Sequence, residues 1–522
     1  MMRVINIAIT SMLALLLIAS VAHSSSGSGD VALSYIFLDE EGNQSVNQST
    51  FNDYEGAALS FENLRYRFTN GMNLRADFRN ITLNNRNLKA SLRRAGLFGV
   101  SLFHNKYRRL YDFEGGRFTK RHRTGGSIWV FPHRYVKLFG GGSFVDKSGS
   151  MTELFDATAP GTGLTTDYTQ KHYNGGVQFN HMGRMLRAEI RASNYADDLN
   201  SSRDQDRLSF MATAAGPLPK YEEVSVFGGF RRFTAEYNAS GSKITSNKGW
   251  GGATVALPEN FALKYALVFD RSGSESDLVK TDNVSHALYA SHVWPGLAQV
   301  TAGYIKDYND DLSDEVQVSS YYFSGRVKPI SELELRGEYG ARSEEVKGGR
   351  RLIGDEDRQK YKFSVKYRCP RDATIAVKVD ARIRENEQLG SKSEFVRPTV
   401  DLSGDFWRFA SFIGGYSYAR GIYTNVDGGF EFRDHTIYAD IVSRECHNFT
   451  AGFGGTYYRS KRDLDVEKSW LRFSLGYRFL EDYHVELEYN VHNFDDFVYT
   501  SQFDEYYTAN IVEIKIIKDL SF

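Results

Sequence analysis

The chain has 522 residues, 14% of them aromatic and 25% charged, with 64 Lys and Arg against 65 Asp and Glu and a formal net charge of -1. Such a balance gives no overall field for nucleic acid, which is excluded as a partner, and any electrostatic partner must be met by a local patch. Past the N-terminus no stretch approaches ~18 consecutive apolar residues, which excludes spanning helices, and no Pro/Ser-rich linker or shift of composition divides the interior, so one repetitive architecture is expected.

Arg3 gives a short positive start, Val4 to Ala19 is apolar, and Ser20 and Ala22 stand at cleavage spacing. Residues 1–22 therefore read as a secretory signal peptide, removed after about Ala22. Residues 23–56 form an N-terminal segment: Ser24 to Gly29 reads as a Ser/Gly hinge, and Val31 to Leu38 as a possible first strand.

From Ala57 onward the pattern is alternation. Leu186, Ala188, Ile190 and Ala192 alternate with Arg187, Glu189, Arg191 and Ser193; Tyr361, Phe363, Val365 and Tyr367 do so with Lys360, Lys362, Ser364, Lys366 and Arg368. After a Cys369 to Asp372 turn, Ile375, Val377, Val379, Ala381 and Ile383 alternate with Lys378, Asp380 and Arg382. Leu471, Phe473, Leu475, Tyr477 and Phe479 repeat the pattern against Arg472, Ser474, Gly476 and Arg478. Barrel strands that face lipid on one side and a polar lumen on the other have this period. A soluble β-sandwich or propeller also alternates, but the export signal and the aromatic terminus favour the membrane.

The expected fold is thus all-β: a single large antiparallel transmembrane β-barrel over residues 57–522 in the outer membrane, with no covalent plug domain. Roughly 24 to 27 strand-like segments, and the even-number tendency of such barrels, give about 24 or 26 strands. The last segment carries Val512, Ile514, Ile516, Leu520 and Phe522 on alternate positions. Its terminal Phe522 resembles the signal by which the barrel assembly machinery recognises its clients. With both termini in the periplasm, Glu481 and Asp482 form a periplasmic turn and Asn493 to Glu505 lies outside. The long Glu385 to Ser393 connection collides with this parity, which points to one strand miscounted between it and Arg459.

Lumen-facing candidates are Arg187, Glu189, Lys378, Asp380, Arg382, Arg472 and Arg478. Long loops at Arg108 to Gly125 and Val145 to Asp167 are positioned to narrow the pore. Within the first, Arg108, Arg109, Arg117, Lys120, Arg121, His122 and Arg123 stand among Tyr111, Phe113 and Phe118. This is either a loop that engages lipopolysaccharide phosphates or an acidic protein, or an ordinary rim loop. Asp197, Asp198, Asp204 and Asp206 read as a solvated loop. So does the cluster of Asp307, Asn309, Asp310, Asp311, Asp314 and Glu315, whose sixth loop position is Leu312 rather than the Gly an EF-hand needs. Cys369 and Cys446 read as unpaired turn thiols; a disulfide requires both turns on one rim. His484 and His492 share a strand face with Glu486 and Glu488, more as wall residues than as a metal or proton site. There is no G-x-S-x-G elbow, so no catalytic residue is assigned, and no C-x-x-C-H, so the chain attaches no haem covalently.

The opening DVALSYIFLDEEG (Asp30 to Gly42), NDYEGAALSFENLRYRF (Asn52 to Phe68) and NLKASLRRAGLFGVSLFHNKYRRLYD (Asn87 to Asp112) resembles the decahaem-associated outer-membrane barrels of the MtrB/PioB family. The resemblance covers about the first quarter of the mature chain, plus barrel size and the Phe terminus. Many members carry an N-terminal Cys pair that this chain lacks. What the resemblance implies is a sheath around a periplasmic multihaem c-type cytochrome, with haem held by that partner, that passes electrons across the outer membrane. A general or substrate-selective diffusion porin explains the charged lumen equally well; an outer-membrane enzyme explains neither the width nor the charge.

Overall fold

The computed structural model describes residues 24–111, 116–151, 164–274, 280–311, 314–347, 356–370, 372–406, 409–497 and 505–521. Residues 1–22, expected as a signal peptide, and Phe522 lie outside the described residues. The described chain is almost wholly strand. In order come β1 (Ser24–Gly42), β2 (Gly56–Phe68), β3 (Met72–Arg79), β4 (Asn87–Arg94), β5 (Phe98–Leu110), β6 (Phe118–His133), β7 (Val136–Met151), β8 (Leu164–His181) and β9 (Arg184–Asp197). Next are β10 (Gln205–Leu218), β11 (Tyr221–Tyr237), β12 (Lys243–Leu257), β13 (Phe261–Ser274), β14 (Lys280–Trp294), β15 (Ala298–Asp311), β16 (Glu315–Ile330), β17 (Leu333–Lys347) and β18 (Glu356–Arg368). The last are β19 (Thr374–Asn386), β20 (Ser391–Phe406), β21 (Ala410–Asn425), β22 (Gly428–Ser443), β23 (Phe449–Arg462), β24 (Val466–Leu480), β25 (Tyr483–Asp496) and β26 (Glu505–Ser521).

Each strand pairs antiparallel with the next, and β26 pairs with β1 from Ser28↔Ser521 to Gly42↔Tyr507. One 26-stranded sheet thus closes on itself and leaves no unpaired edge, as a β-structure in hydrocarbon must. Closure runs through β1, so the sheet starts at Ser24 rather than at Ala57. The small residues Ser24 to Gly29, expected as a hinge, are strand: a side chain at Gly29 would run into Leu64 of the neighbouring β2.

The connections fall into two sets. On the rim holding Ser24 and Ser521 they are short turns, such as 134–135, 182–183 and 481–482. The opposite rim carries the longer ones, including 43–55 and 80–86. The Glu385 to Ser393 segment belongs to that opposite rim, but β19 and β20 run into it and leave only residues 387–390 as a turn. Four strands, β20 to β23, then fit before Arg462, and the parity conflict disappears.

Alternation divides the wall into two faces. Leu33, Tyr35, Phe37, Leu186, Ile190, Phe363, Leu475, Ile514 and Ile516 all stand exposed on one face, the band a bilayer would cover. The other face carries the charges. On it, side chains reach across a whole intervening strand, which convergence toward a concave surface permits. Tyr438 of β22 donates its hydroxyl to Asp401 of β20 at 2.5 Å, over Gly415 of β21. Arg472 of β24 reaches Asp440 of β22 at 2.6 Å, over Gly454 of β23. A Cβ on Gly415 would stand 2.7 Å from the Tyr438 hydroxyl, and one on Gly454 would stand 2.5 Å from the Asp440 carboxylate. Glycine at these two positions is therefore what lets the contacts form.

Candidate functional site in the lumenal wall

Among the described residues, the inner face has two unlike sectors. From β15 to β22 the charges pair off around a recess of about 900 Å³ lined by Arg326, Arg336, Glu338, Lys362, Asp380 and Arg397 among others. Glu334 accepts from both Arg326 and Arg336. Glu338 takes Lys360 at 3.0 Å, Asp401 takes Lys378 at 2.6 Å, and Asp380 holds Arg382 at 2.8 Å and Arg397 at 3.7 Å. At the end of β18, Glu356 is gripped by Arg358 and Arg384. A wall that neutralises itself in this way presents hydrogen-bonding groups with little net field.

From β5 to β11 the balance differs. A second recess, of about 610 Å³, is lined by Arg123, Arg191, Arg207 and Arg231 with His172, and by one carboxylate, Glu189. That carboxylate is 3% exposed and is held by Arg187 at 2.8 Å and Arg191 at 2.6 Å. It is thereby used up. Arg123 lies over the Phe103 ring and Arg231 over Phe233, while Arg207 donates to Gln205. Among the described residues none of these three has an ion pair, so the recess keeps its positive charge.

Residues 43–55, between β1 and β2, join the two edges of a low stretch of wall. β3 and β4 have only 8 residues each, against 19 in β1, and the connection fills the notch above them. On one side Thr50 binds the Tyr507 hydroxyl at 2.7 Å and Val46 packs on Phe494, Tyr507 and Ala509. On the other, the Asn52 side chain accepts from the free backbone N–H of Arg108 at 2.6 Å, and the Arg108 guanidinium donates to the carbonyls of Phe51 and Asp53. Burial, aided by Glu40 and Glu513 and opposed by Arg108, pushes the Asp53 carboxyl up to about 6. Sequence reading missed this element, since nothing in a polar Asn/Gln/Ser run signals that it docks on Tyr507.

The lumen candidates fall on the charged face: Arg187 and Glu189 in the arginine-rich sector, Lys378, Asp380 and Arg382 in the paired one, Arg472 on Asp440, and Arg478 3.7 Å from Glu445. They are spread round the wall rather than gathered into one site. The expected basic loop Arg108 to Arg123 is instead a hairpin: β5 and β6 pair rung by rung up to Leu110↔Phe118, and residues 112–115, Phe113 included, lie outside the described residues. Val145 to Asp167 likewise belongs to β7 and β8 apart from 152–163, which lie outside the described residues. The same applies to Asn493 to Glu505: β25 runs through Asp496, and 498–504 are outside the described residues.

Asp307, Asn309 and Asp310 are strand residues of β15, not a loop, and Leu312 lies outside the described residues. Among the described residues no group of His, Cys, Asp and Glu is placed to hold a metal. Asp197 and Asp204 organise the β9–β10 connection rather than floating in solvent. The Asp197 carboxylate accepts from the Leu199 and Asn200 amides, and that of Asp204 accepts from the Asp197 amide. Asp206 takes the Asn194 amide. Cys369 and Cys446 lie on the same rim but are free, with four strands between their turns, about 19 Å of sheet and beyond disulfide reach. His484 and His492 share a face with Glu486 and Glu488, yet they are separated along β25: His484 meets Glu486 and Asp519, and His492 contacts Ser49.

No family model and no curated protein matches the chain. Solved structures do. The FrpB iron transporter from Neisseria meningitidis aligns at 11% identity and a TM-score of 0.53, over 94% of this chain and 81% of that one. The siderophore receptor PirA from Pseudomonas aeruginosa aligns at 9% identity and 0.52, over 82% and 81%. The copper transporter OprC aligns at 8% identity and 0.51, over 96% and 81%. These are receptors and transporters rather than enzymes, and at such identity the likeness is one of fold: the chain is built as a large closed β-barrel.

Proposed function

We propose that the chain is the porin-like sheath of an electron conduit, enclosing a multihaem c-type cytochrome in the outer membrane, as its resemblance to the MtrB/PioB barrels implies. The observation that carries this reading is the width of the closed wall. At ~4.8 Å between strands and a tilt of ~40°, 26 strands enclose a cylinder about 50 Å across. With side chains subtracted, that leaves room for a folded domain of some 100 residues, whose radius of gyration is about 13 Å. Barrels of 22 strands already carry a plug. Among the described residues all but short connections belong to the wall. The charged lining of the lumen matches the polar surface of a protein made for water, and the haem would come with the partner.

Purification from the native outer membrane tests the reading. The barrel should carry a haem-staining protein in about equal amount, and proteoliposomes of the pair should pass electrons from an external donor to an enclosed dye while retaining sugars. A barrel that purifies without haem protein, and alone admits small sugars as a general porin does, would replace the sheath by a diffusion channel.

A further inference from the structure

The outward face of β5 to β8 holds a cluster of cations that the lumen does not use. β5 and β6 pair without irregularity from Phe98↔Val130 to Leu110↔Phe118, so alternate residues stay on one face throughout. Leu102 and Ile128 are exposed on the apolar face, and register carries that face on to Leu138 in β7 and to Tyr173 and Val177 in β8. Climbing from Leu102 and Ile128 away from the termini, the same face presents His104, then Lys106 beside His122, then Lys120. Lys171 stands on it in β8, opposite Phe144.

Arg86, just before β4, joins this group. Its carbonyl accepts the Lys106 amide at 3.0 Å, and its charge acts on His104, Lys106 and His122. Burial lowers the pKa of the Arg86 side chain. Two carboxylates stand in register with the cluster, Asp146 opposite His122 and Asp167 two strands from Lys120 through Ser148, and among the described residues neither makes an ion pair with it. Among the described residues Arg86, Lys106, Lys120 and Lys171 make no ion pair. Arg86 Nε, His104 Nε2 and His122 Nδ1 are buried with no hydrogen-bond partner. Unmade bonds of this kind cost about 1 to 3 kcal/mol each, but these atoms are buried; what an outside anion can reach are the partly exposed charged ends of Arg86, Lys106, Lys120 and Lys171.

We propose that this cluster binds the phosphorylated sugar headgroup of lipopolysaccharide, with the rim opposite the termini in the outer leaflet. The cations begin one rung above exposed Leu102 and Ile128, where a bilayer passes from acyl chains to headgroups. A ligand bound through phosphate at Arg86, Lys106 and Lys120 must therefore lay an apolar body along the wall below. Below the cations the same face is apolar, with Leu102, Ile128, Leu138, Tyr173 and Val177 exposed where acyl chains would lie. A soluble anion has no use for such a floor.

Binding of lipid A to the detergent-solubilised barrel decides the matter, and it is independent of what fills the lumen. Diphosphorylated lipid A should bind at least tenfold more tightly than its dephosphorylated form. Lys106→Gln with Lys120→Gln should abolish the difference, while the lumenal control Lys362→Gln keeps it. Inorganic phosphate should compete only weakly. Variants are compared as folded, heat-modifiable barrels, and Lys171→Gln, at the edge of the cluster, serves with a smaller loss should the pair fail to assemble. Equal affinity for the two lipids, or competition by phosphate at the lipid's own concentration, would overturn the assignment.

Discussion

The two sectors of the inner wall use the same residue types to opposite ends. Between β15 and β22 nearly every cation named above has a carboxylate within reach, and several carboxylates serve two. Between β5 and β11 one carboxylate serves two arginines, and Arg123, Arg207 and Arg231 remain over. Net composition hides this, since the chain as a whole is nearly neutral. Function in a wide barrel can thus reside in how charge is distributed round the wall: one side stays inert, and the other attracts an anionic surface.

The largest effect is expected where the arginine-rich sector depends on its one acid. Glu189→Gln leaves Arg187 and Arg191 facing each other without a counter-charge. Removing one partner of a buried pair costs about 3 to 5 kcal/mol; with Arg191 well exposed, about 2 kcal/mol is the expected loss. Asp380→Asn in the other sector should cost about 1 kcal/mol or less, because Arg382 and Arg397 are about half exposed and water can replace the carboxylate. Urea midpoints of the folded, heat-modifiable band measure both. Equal losses would erase the distinction between the sectors.

A smaller effect, but a more selective one, concerns the partner. Arg123→Gln, Arg207→Gln and Arg231→Gln together should leave assembly intact, since none is in an ion pair, yet release the co-purifying partner at lower salt. Exposed charge contacts contribute about 0.2 to 1 kcal/mol each, so the three together should weaken retention by about tenfold. Retention unchanged across a salt series would assign the recess no part in holding a partner.

How much of this the sequence disclosed follows from where apolar alternation can act. Inside the bilayer every second residue must be apolar, so the middles of β9, β18, β19 and β24 are readable, while one end of each runs three to five residues past the alternating stretch. Above the apolar band both faces of a strand are wet and the period vanishes, which is why Arg108 to Arg123, Asp307 to Asp311 and Glu385 to Ser393 read as loops although strand extends into each of them. β1 was cut short for the opposite reason: small residues imply flexibility locally, whereas Gly29 is small because Leu64 crosses it. Alternation assigned faces to Arg187, Lys378 and Arg472 but not partners, since partners depend on register between strands up to 32 residues apart, as for Arg472 and Asp440. The docking of 43–55 on Tyr507, a contact spanning 457 residues, left no local trace.

That segment borders the arginine-rich sector at β5 and offers the subtlest test, through pH. Asp53 has an ordinary value of 3.8 and is pushed up to about 6 where it docks, chiefly by burial. Docking therefore favours the protonated acid: its contribution is fully present below about 3.8 and is lost as pH rises through about 6. One proton with this shift changes the docking equilibrium by up to about tenfold between pH 5 and 7.5. A spin label at Gln48→Cys, with Cys369 and Cys446 replaced by Ser, should be more immobile at pH 5 than at pH 7.5. Asp53→Asn should hold it immobile at both. Glu40, Glu513, Arg108 and Tyr507 face the same carboxyl, and His492 lies 3.5 Å from Ser49, so a His492→Gln variant is the needed control. Should the pH response survive Asp53→Asn and vanish in His492→Gln, the histidine rather than the buried acid governs how this segment closes the gap above β3 and β4.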